Sequence, residues 1–346
     1  MKFWKKKQFW GALIGIALLA YCVKDISPTE IEVLASRVNL YYLIPAVVTT
    51  FLFVIFRALR WRILISQQAP VGVVRSVTLC SAGQVLNIVM PALTGQVGRL
   101  ILFARKLGLR KTFVFSTIVL EVLFDALSLI IFMFFTSLAF AFPDRYRYAS
   151  FIVAGATIAL LTLLYLILHY QQRLEECGRR RLRHRHPGAY ITLKKFLRSF
   201  TKGTEMLRSS QHMASTVGWS LAAWTAHMMA IYFLFMAFGF RLEIAPASAV
   251  MIINSIILMI PITPGNAGTF EFAVSTTLAA FSIGRSDAVL FALALHLLDL
   301  LPIFILGAGY LTHEAAAIRE IKKRHQDQDI LEKISEDGTF VEEEQL

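Results

Sequence analysis

Cysteine is scarce. The chain has three in 346 residues, Cys22, Cys80 and Cys177, scattered without metal or redox spacing, which excludes a disulfide framework and a zinc site and leaves them as packing residues. Nothing resembles a nucleotide-binding loop or a dedicated metal-ligand set, so neither cofactor nor metal is expected. Charged residues make up 17% of the chain, and acidic ones are the minority: 23 Asp and Glu against 35 Lys and Arg, a formal charge of +12. In an apolar chain such an excess reports orientation and contact with anionic lipid before nucleic acid. The run Arg179–Arg185 reads as a solvated, lipid-attracted loop, since no folded nucleic-acid reader surrounds it.

Apolar runs are plentiful: 56% of residues are hydrophobic and mean hydropathy is +0.60. Several runs approach the ~20 residues that a spanning helix needs, so an all-α polytopic membrane protein is expected. The first span, Phe9–Val23, follows Lys2, Lys5, Lys6 and Lys7; Tyr21-Cys22-Val23 is not a small-residue cleavage site, so the span stays uncleaved. Leu40–Phe56 returns and lands on Arg57, Arg60, Trp61 and Arg62. Interfacial anchoring is favoured for this corner over a grip on lipid phosphates.

Two helix-breaking runs interrupt apolar segments. Pro91-x-x-x-Gly95-x-x-Gly98 has the same spacing as Pro261-x-x-x-Gly265-x-x-Gly268, and Asn87 and Asn254 lie a few residues upstream. Two prolines and two glycines at 261–268 cannot continue a helix. Free backbone groups at bilayer depth are tolerated only where protein covers them or where they line a wet cavity. Corresponding breaks in two halves of a membrane protein point to a transporter-type binding site, made here from Asn87, Pro91, Gly95, Gly98, Arg99, Pro261, Thr263, Pro264, Gly265, Asn266, Gly268 and Glu271.

Orientation follows from the basic residues. Arg99, Arg105, Lys106, Arg110 and Lys111 follow the first break, so a complete crossing of Ser76–Leu93 would put five positive charges outside. A re-entrant hairpin from the cytoplasm, broken at Pro91–Gly98, avoids this. Thr112–Phe142 then exits; at 1.5 Å per residue it would reach about 45 Å, more than the ~30 Å core, so tilt or protrusion is expected. Ala149–His169 returns to a basic cytoplasmic loop at 170–212. Met213–Phe240 exits, Ser248–Phe281 forms a second hairpin from outside, and Asp287–Leu311 returns. The expectation is one transmembrane domain over 1–312: an inverted repeat of units 9–142 and 149–311, each with about three spans and one broken hairpin. A cytoplasmic charged tail, 313–346, follows, with both termini on the cytoplasmic side of the inner membrane.

Arg99, Glu121, Asp125, Glu271, His296 and Asp299 fall at membrane depth, where ionisable residues are functional hypotheses by default. Arg99, placed at the opening of a half-helix, either meets an anion there or ties internally to Glu271 or Asp125. Glu121 and Asp125 are four apart, and His296 and Asp299 three apart. These pairs either exchange protons as substrate moves or serve as hydrogen-bonded ties between helices, the second being favoured. His227 reads as a packed core residue.

Asn87-x-x-Met90-Pro91-x-x-x-Gly95-x-x-Gly98-Arg99, Glu121-x-x-x-Asp125, the Arg60-Trp61-Arg62 corner and Pro261-x-Thr263-Pro264-Gly265-x-x-Gly268-x-x-Glu271 together resemble the lysylphosphatidylglycerol synthase transmembrane family, over about Leu40 to Leu311. Asn266 stands where a second glycine often follows Pro-Gly. The resemblance implies movement of a lipid between leaflets: an anionic phospholipid, an isoprenoid-linked lipid or a hopanoid. The about 35 residues after Leu311 cannot form an aminoacyltransferase domain, so lipid lysylation is not expected and the protein is expected not to be an enzyme. The competing readings are an intramembrane lipid-modifying transferase using Glu121, Asp125 or Asp299, and a non-transporting partner of a lipid-synthesis enzyme.

Overall fold

The structure is a computed structural model that describes residues 7–24, residues 38–139 except 67, 91 and 92, and residues 209–311 except 259–262, with scattered positions between 27 and 36 and between 155 and 201. Regular structure among the described residues is helical throughout. In order come α1 (Lys7–Val23), α2 (Leu40–Ile65), α3 (Val73–Val89), α4 (Leu93–Leu107), α5 (Lys111–Ala139), α6 (Ser210–Ala237), α7 (Ile244–Leu258), α8 (Thr269–Ala279) and α9 (Arg285–Leu311). Helices α2, α5, α6 and α9 are long and apolar enough to cross a bilayer, and the protein is an integral, polytopic membrane protein.

Helix α2 starts where the Asn39 side chain accepts from the Tyr41 N–H, a cap that satisfies an otherwise orphan donor. It does not stop at Phe56 as expected. No Gly or Pro occurs between Ala46 and Ala69, so the helix continues through Arg57, Arg60, Trp61 and Arg62 to Ile65. At 29 residues, α5 is about 43 Å long, as the apolar run foretold.

Helices α3 and α4, of 17 and 15 residues, lie against one another as the arms of a hairpin. Its break is shorter than the spacing suggested. Met90 is extended, as a residue before proline prefers, and α4 resumes by Leu93. Gly95, Gly98 and Arg99 therefore lie inside α4, and Arg99 does not open it. Glycine costs a helix only about 1 kcal/mol relative to alanine, and here it permits contact: a Cβ on Gly95 would fall 2.6 Å from Asn87 Cα, and one on Gly98 would fall 3.0 Å from Met90 Sδ. Helices α7 and α8, of 15 and 11 residues, form the second hairpin.

Contacts at the helix ends order the bundle. Helices α2 and α6 pack along most of their length and run antiparallel, because the Asn39 N–H donates to the Ala237 carbonyl at 2.8 Å. The first hairpin has its feet at the other end of this pair, where Arg62 Nε donates to Val71 O at 2.7 Å and Arg75 Nη2 donates to Lys106 O at 3.2 Å. The second hairpin starts at the Asn39–Ala237 end, where the Thr136 and Ser248 hydroxyls of α5 and α7 pair at 2.6 Å. Two broken hairpins thus enter the bundle from opposite ends. The expected returning span at 149–169 and the basic loop lie outside the described residues apart from scattered positions; the tail at 313–346 lies outside them altogether.

Helix α9 crosses both hairpins. At Gly307 a Cβ would fall 2.5 Å from the Ser81 carbonyl carbon of α3, so the two backbones touch. Gly307→Ala is expected to lower stability by about 1–3 kcal/mol through overpacking, whereas Gly218→Ala, inside α6 with nothing within 4 Å of the new methyl, should raise it by up to about 1 kcal/mol; thermal unfolding in detergent compares them.

Candidate functional site

The second break is a turn that only certain residues can make. Pro264–Asn266 form one 3₁₀ turn, with Gly265 at φ 60°, Asn266 at φ 60° and Gly268 at φ 82°. Asparagine is the side-chain-bearing residue that best tolerates the left-handed region, which suits Asn266 to this position. Gly268 has a second duty, since a Cβ there would collide with the Gly15 carbonyl oxygen and with Leu18 of α1. Helix α8 starts at Thr269, and Glu271 Oε2 accepts from the Gly268 N–H at 2.6 Å.

His296 of α9 reaches into this turn. Its Nδ1 lies 2.7 Å from Glu271 Oε1, its Nε2 lies 3.1 Å from the Gly265 carbonyl oxygen, and its ring stacks on Phe270 at 4.3 Å. Thr263 is buried, its hydroxyl 3.2 Å from that of Thr269. Across the turn, a Cβ on Gly265 would lie 3.5 Å from Ile88 Cγ2 at the end of α3, so the two breaks meet.

Residues His296, Asp299, Ile303 and Gly307 recur at helical spacing on one face of α9, and that face links the hairpins. Asp299 receives His227 Nε2 of α6 at 3.2 Å from both carboxylate oxygens. The His227 ring stacks on Phe53 of α2 at 4.7 Å, and the Arg57 guanidinium lies 5.4 Å over the same Phe53 ring. Arg57 and Arg60 both reach Asp125, at 3.3 Å and 2.6 Å. Trp224 Nε1 donates to the same carboxylate at 3.0 Å. One turn earlier on α5, Glu121 pairs with Arg99 of α4 at 2.5 Å, both side chains 5% exposed.

Several expectations are corrected by this geometry. Arg99 is tied, but to Glu121 rather than to Glu271 or Asp125, because α4 packs directly on α5. Glu121 and Asp125 are not a like-charge pair sharing one site; each has its own arginine. His296 and Asp299 do not pair with each other but with Glu271 and His227. Arg60 and Trp61 are 0% exposed, so neither is an interfacial anchor, whereas Arg62 is exposed. The His227 side chain is buried, as expected, yet it is a partner of Asp299 rather than inert packing. Ser220, Trp224 and His227 fall at i, i+4 and i+7 on α6, and this polar stripe inside an apolar span was the signal for their role. Pro91 and Pro261 lie outside the described residues; Asn87 packs on Gly95, and Asn254 is buried with an unpartnered Oδ1.

Beside the Arg99–Glu121 pair is a cavity of about 30 Å³, lined among others by Arg57, Ser81, Gln84, Arg99, Glu121 and Ile303. That is room for about two waters. Ser81 Oγ and Arg99 Nε are buried there without a hydrogen-bond partner. Farther along α5, an open crevice of about 440 Å³ between α5, α6 and α7 is lined by apolar groups such as Phe132, Phe135, Leu221, Met228 and Ile244.

The family model described as the lysylphosphatidylglycerol synthase TM region matches residues 8–307, which takes in both hairpins and the whole charge cluster. The chain belongs to this family. Among curated proteins similar to this chain are UPF0104 membrane proteins of three archaea. That of Methanocaldococcus jannaschii is 23% identical over 64% of this chain and 91% of its own length; that of Pyrococcus horikoshii is 21% identical over 82% and 90%. The protein of Methanothermobacter thermautotrophicus is 21% identical over 75% and 81%. No solved structure matches.

Removing one partner of a buried ion pair strands the other charge, whereas replacing both by apolar residues of similar volume is close to neutral. Glu121→Leu is therefore expected to cost about 3–5 kcal/mol, and Arg99→Met with Glu121→Leu to recover most of it, measured as a double-mutant cycle by unfolding in mixed micelles.

Proposed function

We propose that this protein moves a lipid with a phosphate-bearing, anionic headgroup between the leaflets of the cytoplasmic membrane. It acts as a flippase- or scramblase-like transporter, with both termini cytoplasmic and the two hairpin units arranged as an inverted repeat. One observation carries the reading: Arg57, Arg60 and Arg99 gather around Glu121 and Asp125, three cations against the two carboxylates they touch, inside an apolar bundle. An uncompensated charge at that depth is expensive, and an anion entering beside it is the natural counter-charge. Arg57 is the arginine held most loosely, with a 29% exposed side chain and one 3.3 Å contact, and it lines the cavity with Arg99.

The apolar crevice begins at Ile131, six residues beyond Asp125 on α5, about 9 Å at 1.5 Å per residue. A lipid tail lying along that crevice would leave the headgroup within reach of the arginines. A neutral lipid such as a hopanoid leaves the excess charge unanswered, so the site favours phosphate-bearing phospholipid or isoprenoid-linked lipid. The broken hairpins supply the movable walls: entering from opposite ends and meeting at Ile88 and Gly265, they divide the path where alternating access requires a gate.

Reconstituted liposomes carrying fluorescent anionic, isoprenyl-phosphate, zwitterionic and neutral lipids test this. Leaflet exchange is expected for the phosphate-bearing anionic probes, and Arg57→Ala is expected to slow it about ten- to a hundredfold, the loss of a charged hydrogen bond worth about 1.5–3 kcal/mol. Equal rates for parent and Arg57→Ala across every probe would remove the arginine site. Covalent change of the lipid by purified protein in detergent would replace transport with transferase chemistry.

A further inference from the structure

The contacts at the second break call for one more proton than a neutral histidine beside an ionised carboxylate supplies. Each ring nitrogen of His296 faces an acceptor: Nδ1 faces Glu271 Oε1 at 2.7 Å and Nε2 faces the Gly265 carbonyl at 3.1 Å. A neutral imidazole has a single N–H, and an ionised carboxylate only accepts. Both contacts are hydrogen bonds only if the ring is an imidazolium, or if Glu271 is protonated and donates to Nδ1 while Nε2–H donates to Gly265. The two forms contain the same number of protons. Without that proton, a nitrogen lone pair points at an oxygen lone pair and one contact is lost.

The other histidine–carboxylate pair supplies the contrast. His227 approaches Asp299 through Nε2 alone, and its Nδ1 is buried without a partner. A neutral ring with its hydrogen on Nε2 satisfies that arrangement, and no extra proton is needed. The same helix, α9, carries His296 and Asp299 one turn apart, so only the pair at the break is poised to bind and release a proton.

We propose that His296 and Glu271 form a proton-binding site that latches the second hairpin to α9, and that proton release frees the hairpin and so couples lipid movement to protons. The coupling half of this proposal rests on the transport reading above; the latch does not. Position supports it. The freed contact is at Gly265, the residue that meets Ile88 of the first hairpin, or at Glu271, whose other oxygen holds the first turn of α8 through Gly268. Among the described residues the ionisable groups near the site are few. Cys22 of α1 lies within electrostatic reach of Glu271 and Arg285, and one turn along α9 is Asp299, engaged with His227 of α6. Helix α7 has no ionisable residue in its sequence, and α3 presents Ile88 to the turn.

Glu271→Gln is the diagnostic variant. Its amide oxygen accepts from Gly268 and its amide nitrogen donates to His296 Nδ1, which reproduces the protonated latch without a titratable carboxyl. Amide hydrogen exchange of the full chain in lipid nanodiscs, read on the segment 263–272 and corrected for intrinsic exchange, follows the latch independently of transport. Because the latched state carries the extra proton, its protection is present at low pH and lost as pH rises. Over about pH 5 to 8, where histidine changes charge, protection is expected to fall at least tenfold in the parent and in His227→Gln, and to stay constant in Glu271→Gln. Protection independent of pH in the parent, or lost equally in Glu271→Gln, overturns the latch. A pH-dependent latch in protein whose lipid exchange ignores an imposed pH gradient overturns the coupling; absence of exchange for every lipid overturns the transport reading and leaves the proton site standing.

Discussion

An arginine inside a bilayer must have something negative against it, and this requirement constrains how the helices of the bundle face one another. Arg60 is fully covered, yet Asp125 from another helix meets it at 2.6 Å; Arg99 is covered, and Glu121 meets it. Each pair joins two helices, α2 to α5 and α4 to α5. A buried pair adds little net stability over an apolar replacement, but it penalises any packing that separates its members. The pairs therefore fix which face of α5 lies toward the first hairpin. In the other half, His227–Asp299 and His296–Glu271 do the same for α6, α8 and α9.

The two breaks share a spacing and differ in construction. In the first, the glycines after Pro91 lie within a helix and let α3 and α4 approach closely. In the second, Gly265, Asn266 and Gly268 adopt left-handed backbone and expose a carbonyl that His296 takes up. The first hairpin is thus a packed wedge bearing an arginine, and the second is a turn held by side chains.

Much of the architecture was legible because it depends on local chemistry. Prolines and glycines at 261–268 announce a break wherever they fall, and basic residues after Gly98 forbid a simple crossing, so both hairpins and their opposite entry follow from the sequence. The buried ionisable residues were legible as a set for the same reason: each is costly at that depth. Their partners were not. Glu121 and Asp125 are neighbours in sequence, but which arginine each meets depends on how α2 and α4 rotate against α5, and spacing along one helix contains no such information. The Arg57–Arg62 stretch misled because charge usually marks a membrane boundary, and the Asp125 carboxylate that overrides this is 65 residues from Arg60. His227 hid because a lone histidine has no signature until the Asp299 of another helix is placed beside it.

The central claim is that lipid passes where the two breaks meet, and a reversible bolt across that point tests it most directly. With Ile88→Cys and Gly265→Cys in a background free of the native cysteines, a disulfide would join the hairpin tips; Cβ separations of about 3.5–4.5 Å suit one. The account predicts that oxidised protein, verified as cross-linked, stops leaflet exchange and that reduction restores it, the reduced double variant controlling for strain at Gly265. Exchange at an undiminished rate through the cross-linked protein would contradict it.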